Sequence, residues 1–353
     1  MTGRNLSAAA GALFFFLLPF FGSDFFVQRV MTRTLIFGLA ASTIVFLSAY
    51  GGMDSLGQWL ILGIAGFAYG NMVTESGRGL ALGWSPWLAI PIALVICTLV
   101  ALLLGALGAR STGIYFLMLT LTYAVIGFTF FGQITLFSGS GGITGIDPPS
   151  FFVDHPLRLF YTAWAASVLG YIGLRAVTVT PFGMALQGVR DDPVRMASLG
   201  FNVQLQRALA FTLAGFVAAV AGLLFIWENG AIDPNSIGIS PTLDLFIIAV
   251  IGGILRLEGS WLGAFVFIAG NIYLRQIPGL GDVGGFFEDR VLGEDRFNTV
   301  IGLLLLIIMV VSPDGLAGLL SRLGRLTRRG RSQTQKSQIP NPTSNPIRGE
   351  LSK

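Results

Sequence analysis

Long apolar stretches separated by short polar segments dominate the chain. The stretches lie at residues 8–23, 35–53, 57–74, 87–108, 114–132, 158–178, 208–227, 243–256, 260–277 and 298–312. A transmembrane helix needs about 20 mostly apolar residues, and most of these stretches approach that length. The pattern therefore predicts an all-α, polytopic integral membrane protein with about 10 transmembrane helices. We assign residues 1–320 to this membrane domain and residues 321–353 to a tail.

The ends of the chain indicate its orientation. Arg4 precedes the first apolar stretch, as in a signal peptide, but phenylalanines and no small-residue cleavage pattern follow it, so we expect a retained helix. Ten spans place both termini on one side of the membrane. The tail is polar and basic, which predicts disorder and, by the positive-inside rule, a cytoplasmic N- and C-terminus. Its basic residues are Arg322, Arg325, Arg328, Arg329, Arg331, Lys336, Arg348 and Lys353.

Composition excludes several classes of protein. The chain is 53% hydrophobic and 11% charged, with a net charge of +4, whereas about a quarter of the residues of a soluble domain are charged. One Cys and one His leave no internal disulfide framework and no Cys-based zinc site. Both Lys residues lie in the tail, so the Gly-x-x-x-x-Gly-Lys-Ser/Thr run of a nucleotide-binding loop is absent. We expect neither a catalytic site, nor a metal, nor a cofactor in this chain.

Segment 180–207, between two apolar stretches, interleaves apolar with polar and charged residues in a way that is not typical of a simple loop. Counting spans back from the tail places this segment in the cytoplasm. Asp192 followed by Pro193 is typical of a helix start, and Gly200 of a helix end. The segment therefore predicts a short amphipathic helix at about 193–199. Such a helix either rests on the lipid surface or docks into a groove of a soluble partner, and the residues alone leave both interpretations open.

A family resemblance favours the second interpretation. Gly183–Val203 resembles the coupling loop of LivM-like permease subunits of branched-chain amino-acid ABC importers. Other stretches resemble the same family in the same order, and together they extend from about residue 35 to 320. They are LSAYGGMDSLGQWLILGIAGFAYG (47–70), GIYFLMLTLTYAVI (113–126), FSGSGGITGIDPP (137–149), the run from Ala221 to Ala264, and VVSPDGL (310–316).

The resemblance implies a heteromeric importer in the bacterial cytoplasmic (inner) membrane. Its expected partners are a second permease subunit, two cytoplasmic P-loop ATPase subunits and a periplasmic or extracellular solute-binding protein. ATP and Mg would bind in the ATPase subunits, and their closure would drive alternating access in the permeases. By the same resemblance, coupling to the ATPase falls to Gly183, Gly188, Arg190, Asp192, Arg195, Ala197 and Gly200.

Three departures from the family pattern concern the solute. The family usually has Ser-Leu-Gly-His where this chain has Ser-Leu-Gly-Gln, with Gln58 in the last place. It usually has a Gly-Gly-x-Gly-Ser run where this chain has GGILRLEGS at 252–260. It often has Pro-Arg-Gly where this chain has Pro-Asp-Gly, with Asp314 in the middle. Urea and short-amide permeases share the same framework and remain an alternative. A stand-alone channel or secondary transporter is the rival from another class, although the spans hold few of the ionisable residues that ion coupling uses.

Several polar residues are candidates for the transport pathway or for partner contacts. Residues 51–58 form a glycine-rich break between two apolar stretches, and such breaks are tolerated at membrane depth where they line a cavity or are buried in protein. The break is either a plain interior turn or part of the pathway. The pathway candidates are Gln58, Ser55, Thr120 and Thr144. Glu228 and Asp233 flank the outer ends of two spans and are candidate contacts for the binding protein. Asp244 precedes a deep apolar run and is either a functional intramembrane carboxylate or a helix cap at the interface, and we favour the cap.

Overall fold

The computed structural model describes residues 26–75, 79–135, 137–138, 141–153 and 156–276, together with Gly315 and Gly318. The predicted stretches 8–23 and 298–312 and the tail 321–353 lie outside the described residues. Each of the other eight predicted stretches coincides with a helix. Six helices are long and apolar enough to cross a membrane within the described residues. The all-α, polytopic prediction is therefore confirmed.

The described elements follow one another with short connections. Helix α1 is continuous and has three parts, Phe26–Met31, Thr32–Phe46 and Leu47–Gly51, of which the first and last are wound as π-helix. The helices that follow are α2 (Gln58–Val73), α3 (Pro86–Gly108), α4 (Ile114–Gln133), α5 (Ser150–Val153), α6 (Pro156–Val179), α7 (Pro181–Asp191), α8 (Pro193–Ser198), α9 (Val203–Asn229), α10 (Ile239–Gly252) and α11 (Gly259–Gln276). Two-residue strands β1 (Ile143–Thr144) and β2 (Ala231–Ile232) and a 3-10 turn at Pro234–Ile237 complete the described elements.

Helices α1, α2 and α9 form the centre of the bundle. Within the most apolar 18 residues of each helix, the buried share is 89% in α1 and 61% in α9, but only 28% in α3 and in α4 and 22% in α6. The peripheral helices instead expose large apolar side chains such as Leu103, Met118 and Leu169. A lipid-facing surface has this composition, because hydrocarbon solvates such side chains.

Small residues allow the central helices to approach closely. A Cβ at Gly222 of α9 would lie 2.2 Å from the carbonyl oxygen of Leu62 in α2, and a Cβ at Gly215 would lie 2.5 Å from the Cβ of Ala101 in α3. Helices in membranes gain stability from such close van der Waals packing, since apolar side chains alone give no preference for protein over lipid. These glycines therefore set the spacing of α9 against α2 and α3.

Helix α10 differs from its prediction at both ends. It begins four residues before the predicted 243 and ends at Gly252, four before the predicted 256, because Gly253 adopts φ 110°. Asp244 lies inside this helix and Gly238 is its N-cap residue, so the prediction that Asp244 caps a helix is wrong.

A small antiparallel sheet joins two loops at the end of the bundle opposite α7 and α8. β1 pairs with β2 through Ile143 with Ile232 and Thr144 with Ala231. A Cβ at Gly142, where φ is +66°, would lie 2.4 Å from the carbonyl oxygen of Ile232, so this close approach requires glycine. The loop after α4 and the loop after α9 therefore form one surface.

Candidate functional site

Segment 180–207, called here the coupling segment, contains two helices where the sequence predicted one. Helix α8 matches the predicted 193–199: Asp192 Oδ1 accepts a hydrogen bond from the Arg195 amide at 3.0 Å, and Gly200 after it has φ +89°. Helix α7 was missed. Its start carries the same signal, since Thr180 Oγ1 accepts from the Gly183 amide and Pro181 is the first helical residue.

Helix α7 is fixed to the membrane bundle. Leu186 and Val189 are completely buried. A Cβ at Gly183 would lie 2.1 Å from the carbonyl oxygen of Val177, so glycine is needed at the turn from α6 into α7. A Cβ at Gly188 would lie 2.7 Å from the sulfur of Met196 in α8. Gly183 and Gly188, two of the predicted coupling residues, therefore have a packing role within the segment.

Helix α8 stands away from the bundle. None of its residues is buried, and Val194 is 75% exposed. Leu199, directly after the helix, is 66% exposed. The predicted coupling residues Asp192, Arg195, Ala197 and Gly200 are also exposed. The chain thus offers a short helix with both apolar and charged side chains free to meet another surface.

Arg190 joins the coupling segment to the end of α1. Its guanidinium donates a hydrogen bond to the carbonyl oxygen of Ala49 and pairs with the Asp191 carboxylate at 2.7 Å. Gly52, which follows α1 with φ +63°, lies directly under the Arg190 side chain: a Cβ there would be 2.6 Å from Arg190 Cγ. Helix α7 is therefore in direct contact with the polypeptide that leads into α2.

The glycine-rich break predicted at 51–58 is non-helical at residues 52–57, since α1 ends at Gly51 and α2 begins at Gln58. This glycine break brings two predicted pathway residues together. Ser55 and Thr120 are fully buried, Ser55 Oγ accepts from the Gly57 amide, and Thr120 Oγ1 accepts from the Leu56 amide. The predicted interruption of the helix is confirmed, and the two hydroxyls satisfy the backbone amides of Leu56 and Gly57. Thr144 lies elsewhere, exposed in β1, and does not join this group.

Gln58, the first residue of α2, is also fully buried. Neither its amide nitrogen nor its amide oxygen has a hydrogen-bond partner among the described residues. Asn71, at the other end of the same helix, shows the opposite arrangement. Its amide nitrogen donates to the carbonyl oxygens of Phe67 and Phe137, both at 2.8 Å, and its oxygen accepts from the Leu80 amide. The two buried amides of α2 therefore have different roles.

Glu228 and Asp233, the predicted binding-protein contacts, both have partners within the chain. Glu228 Oε1 pairs with Arg33 of α1 at 2.5 Å, and Arg33 also donates to the side-chain oxygen of Asn229. Asp233 Oδ1 accepts from the amide and from the hydroxyl of Ser236, each at 2.6 Å, and caps the 3-10 turn. Their contact with a binding protein stays a prediction, and the structure gives each a local role as well.

Comparison with known families decides the class of protein. The family model described as branched-chain amino acid transport system / permease component matches residues 26–311. The chain belongs to this family. The permease is accordingly a multi-pass protein of the inner membrane and a transport subunit rather than a catalytic one. Permeases of this kind work in general with ATPase and binding-protein partners.

Individual relatives carry two different solute names. The permease is 23% identical over 317 residues to the high-affinity branched-chain amino acid transport system permease protein LivM of Escherichia coli K12, covering 81% of this chain and 69% of that protein. It is 27% identical over 278 residues to the autoinducer 2 import system permease protein LsrC of Escherichia coli O157:H7, covering 78% of each. No solved structure matches the permease.

Proposed function

We propose that the permease is one transmembrane subunit of a binding-protein-dependent ABC importer for branched-chain amino acids or a related small polar solute. A second permease subunit, two P-loop ATPase subunits that carry ATP and Mg, and a solute-binding protein would complete it. The observation that carries this proposal is the exposure of Val194 in α8 and of Leu199 directly after it, in a segment whose preceding helix α7 is fixed to the bundle. A groove on an ATPase subunit would cover these side chains.

The position of the coupling segment gives it a mechanism. An ATPase that moves α8 would also move α7, because Gly188 packs directly on Met196. Helix α7 would pass the displacement to Gly52 and Ala49 through Arg190. The glycine break would then change conformation and open the pathway to one side of the membrane or the other. Nucleotide binding to the ATPase subunits would shift the population between two such states, and this alternation would move the solute.

The end of the bundle with the β1–β2 sheet offers a surface on which the binding protein would dock. The β1–β2 pairing brings the loop after α4 and the loop after α9 together, and the second of these loops contains Asp233, a predicted contact for that protein. This surface lies at the opposite end of the bundle from α8. The two partners would therefore bind the same chain at once.

A second solute class has specific support. Relatives named for autoinducer 2 import match the permease about as well as those named for branched-chain amino acids. The urea and short-amide alternative rests on the sequence resemblance alone. We place the amino-acid class first because the stretches at 47–70 and 183–203 resemble the LivM-like permeases.

Site-directed cross-linking tests the docking surface. Val194→Cys, made in a Cys97→Ser background, should form a cross-link with a P-loop ATPase when intact cells receive a bifunctional maleimide. Ile239→Cys is the matched control, since it is exposed at the opposite end of the bundle, and it should give no ATPase adduct. Ala197→Trp, a bulky change at an exposed position, should abolish the cross-link. An ATPase adduct at Ile239 alone, or none at Val194, contradicts the proposal.

A further inference from the structure

The N-terminal end of α2 lies where three helices of the bundle meet. A Cβ placed on Gly57 would be 3.4 Å from Cβ of Thr120 in α4, 3.6 Å from the ring of Phe211 in α9 and 3.7 Å from Ser55 Oγ. Gly57 itself supplies no side chain to cap the helix. The first N–H groups of α2 therefore lack an intrahelical acceptor, and the helix dipole makes this end electropositive.

Gln58 adds a second, independent observation at this point. A side chain at the first position of a helix leans toward the N-terminal end, so the Gln58 amide is directed to the same place as the free N–H groups. Its residue exposure is 0%, and both of its polar atoms lack partners. Leaving a buried polar group unsatisfied is unfavourable, because the group loses the hydrogen bonds that it would make to water. Asn71, a buried amide of the same helix, has partners for both its nitrogen and its oxygen.

The free groups at this end are mostly donors. They comprise the first N–H groups of α2, the two N–H bonds of the Gln58 amide and the Ser55 hydroxyl, whose oxygen already accepts from Gly57. The Gln58 amide oxygen is the acceptor among them. Thr120 contributes nothing further, because its hydroxyl accepts from Leu56 and donates to the carbonyl oxygen of Leu117. A set of convergent donors at a helix N-terminus favours a carboxylate.

We propose that the N-terminus of α2 with Gln58 and Ser55 is a transient solute site that binds the carboxylate of an α-amino acid, with the Gln58 oxygen accepting from the solute's ammonium group. This inference rests on the proposed function, since it places the solute of that importer. It also names the solute class, because a neutral sugar-like solute would leave the electropositive helix end without an anion.

Direct binding tests the site without any transport assay. Saturation-transfer difference NMR on the full chain in nanodiscs, with any subunits that remain bound, detects weak ligands at millimolar concentration. L-leucine should give a signal that isovalerate displaces, since isovalerate keeps the carboxylate, and that L-leucinamide does not displace. Gln58→Leu should weaken leucine binding tenfold or more, because the substitution removes hydrogen bonds to a charged group. Thr98→Val should bind as the wild type does, because Thr98 bonds only its own helix.

Stability measurements separate a binding role from a structural one. Gln58→Leu should unfold at the same temperature as the wild type or higher, whereas Asn71→Leu should unfold at a lower temperature. Equal leucine binding by Gln58→Leu and wild type overturns the site. Displacement by leucinamide, or binding of urea or D-ribose but not leucine, overturns the carboxylate assignment. The ATPase cross-link at Val194 tests the proposed function separately, since it does not depend on Gln58.

Discussion

Replacing Gly52 by alanine tests whether the coupling segment acts on the glycine break. Gly52 has φ +63°, and alanine in this left-handed conformation is less stable by about 1–2 kcal/mol. The new Cβ would also lie 2.6 Å from Cγ and 3.3 Å from Cβ of Arg190. Such overpacking is unfavourable by about 1–3 kcal/mol. The two effects together amount to about 2–5 kcal/mol. Only the overlap with Arg190 is relieved if α7 moves away from the break, so we expect the contact through Arg190 to be lost.

Gly230→Ala is the matched control. Gly230 also follows a helix in the left-handed conformation, with φ +65°, but the nearest atom to a new Cβ is 4.0 Å away. This variant should therefore carry the backbone strain alone. Both variants should unfold at a lower temperature than wild type, Gly52→Ala by the larger shift. In reconstituted importer, Gly52→Ala should hydrolyse ATP while transporting several-fold less solute per ATP, and Gly230→Ala should keep the wild-type ratio.

The comparison of Gly52→Ala with Gly230→Ala tests whether the Arg190 contact transmits movement. If Gly52→Ala transports as much solute per ATP as Gly230→Ala, the contact between Arg190 and the break does not transmit movement. If the two variants unfold at the same temperature, the overlap with Arg190 is absorbed without displacing α7. Either result refutes the reasoning from the geometry of this contact.

Three further predictions concern the bundle itself. Glu228→Ala should destabilise the permease, because it leaves Arg33 without its carboxylate partner, while Glu228→Gln should be milder since it keeps an acceptor; thermal unfolding in detergent measures both. Gly222→Leu should prevent a stable bundle, since even a Cβ would lie 2.2 Å from the carbonyl oxygen of Leu62, and size-exclusion chromatography would show aggregation. Cys97 is fully buried, so a maleimide should label it only as the protein unfolds; rapid labelling of the native permease would contradict the α3 packing.

The membrane architecture was accessible from sequence because the bilayer imposes length and hydropathy on every spanning helix. The glycine break and α8 were also predictable, since Gly52, Asp192 with Pro193, and Gly200 act through local backbone preferences. Helix α7 has an equally local start signal at Thr180 and Pro181, although it was not predicted.

The candidate site depends on contacts that no local pattern encodes. Arg190 reaches Ala49 across 141 residues, and Arg33 reaches Glu228 across 195. A single sequence shows that Arg190, Arg33 and Glu228 are charged, but it does not show which partner each of them contacts. The contrast between Gln58 and Asn71 has the same origin, because both are amides in one apolar helix and only tertiary structure decides which is satisfied.

Purification of the tagged chain from its native membrane in mild detergent, followed by mass spectrometry, tests the central claim most directly. The account predicts that a second permease and one or two P-loop ATPases accompany the chain, and that Ala197→Trp releases the ATPases but not the second permease. A folded chain that purifies alone, and transports solute in liposomes without ATP, would contradict the importer assignment and indicate a stand-alone channel or secondary transporter.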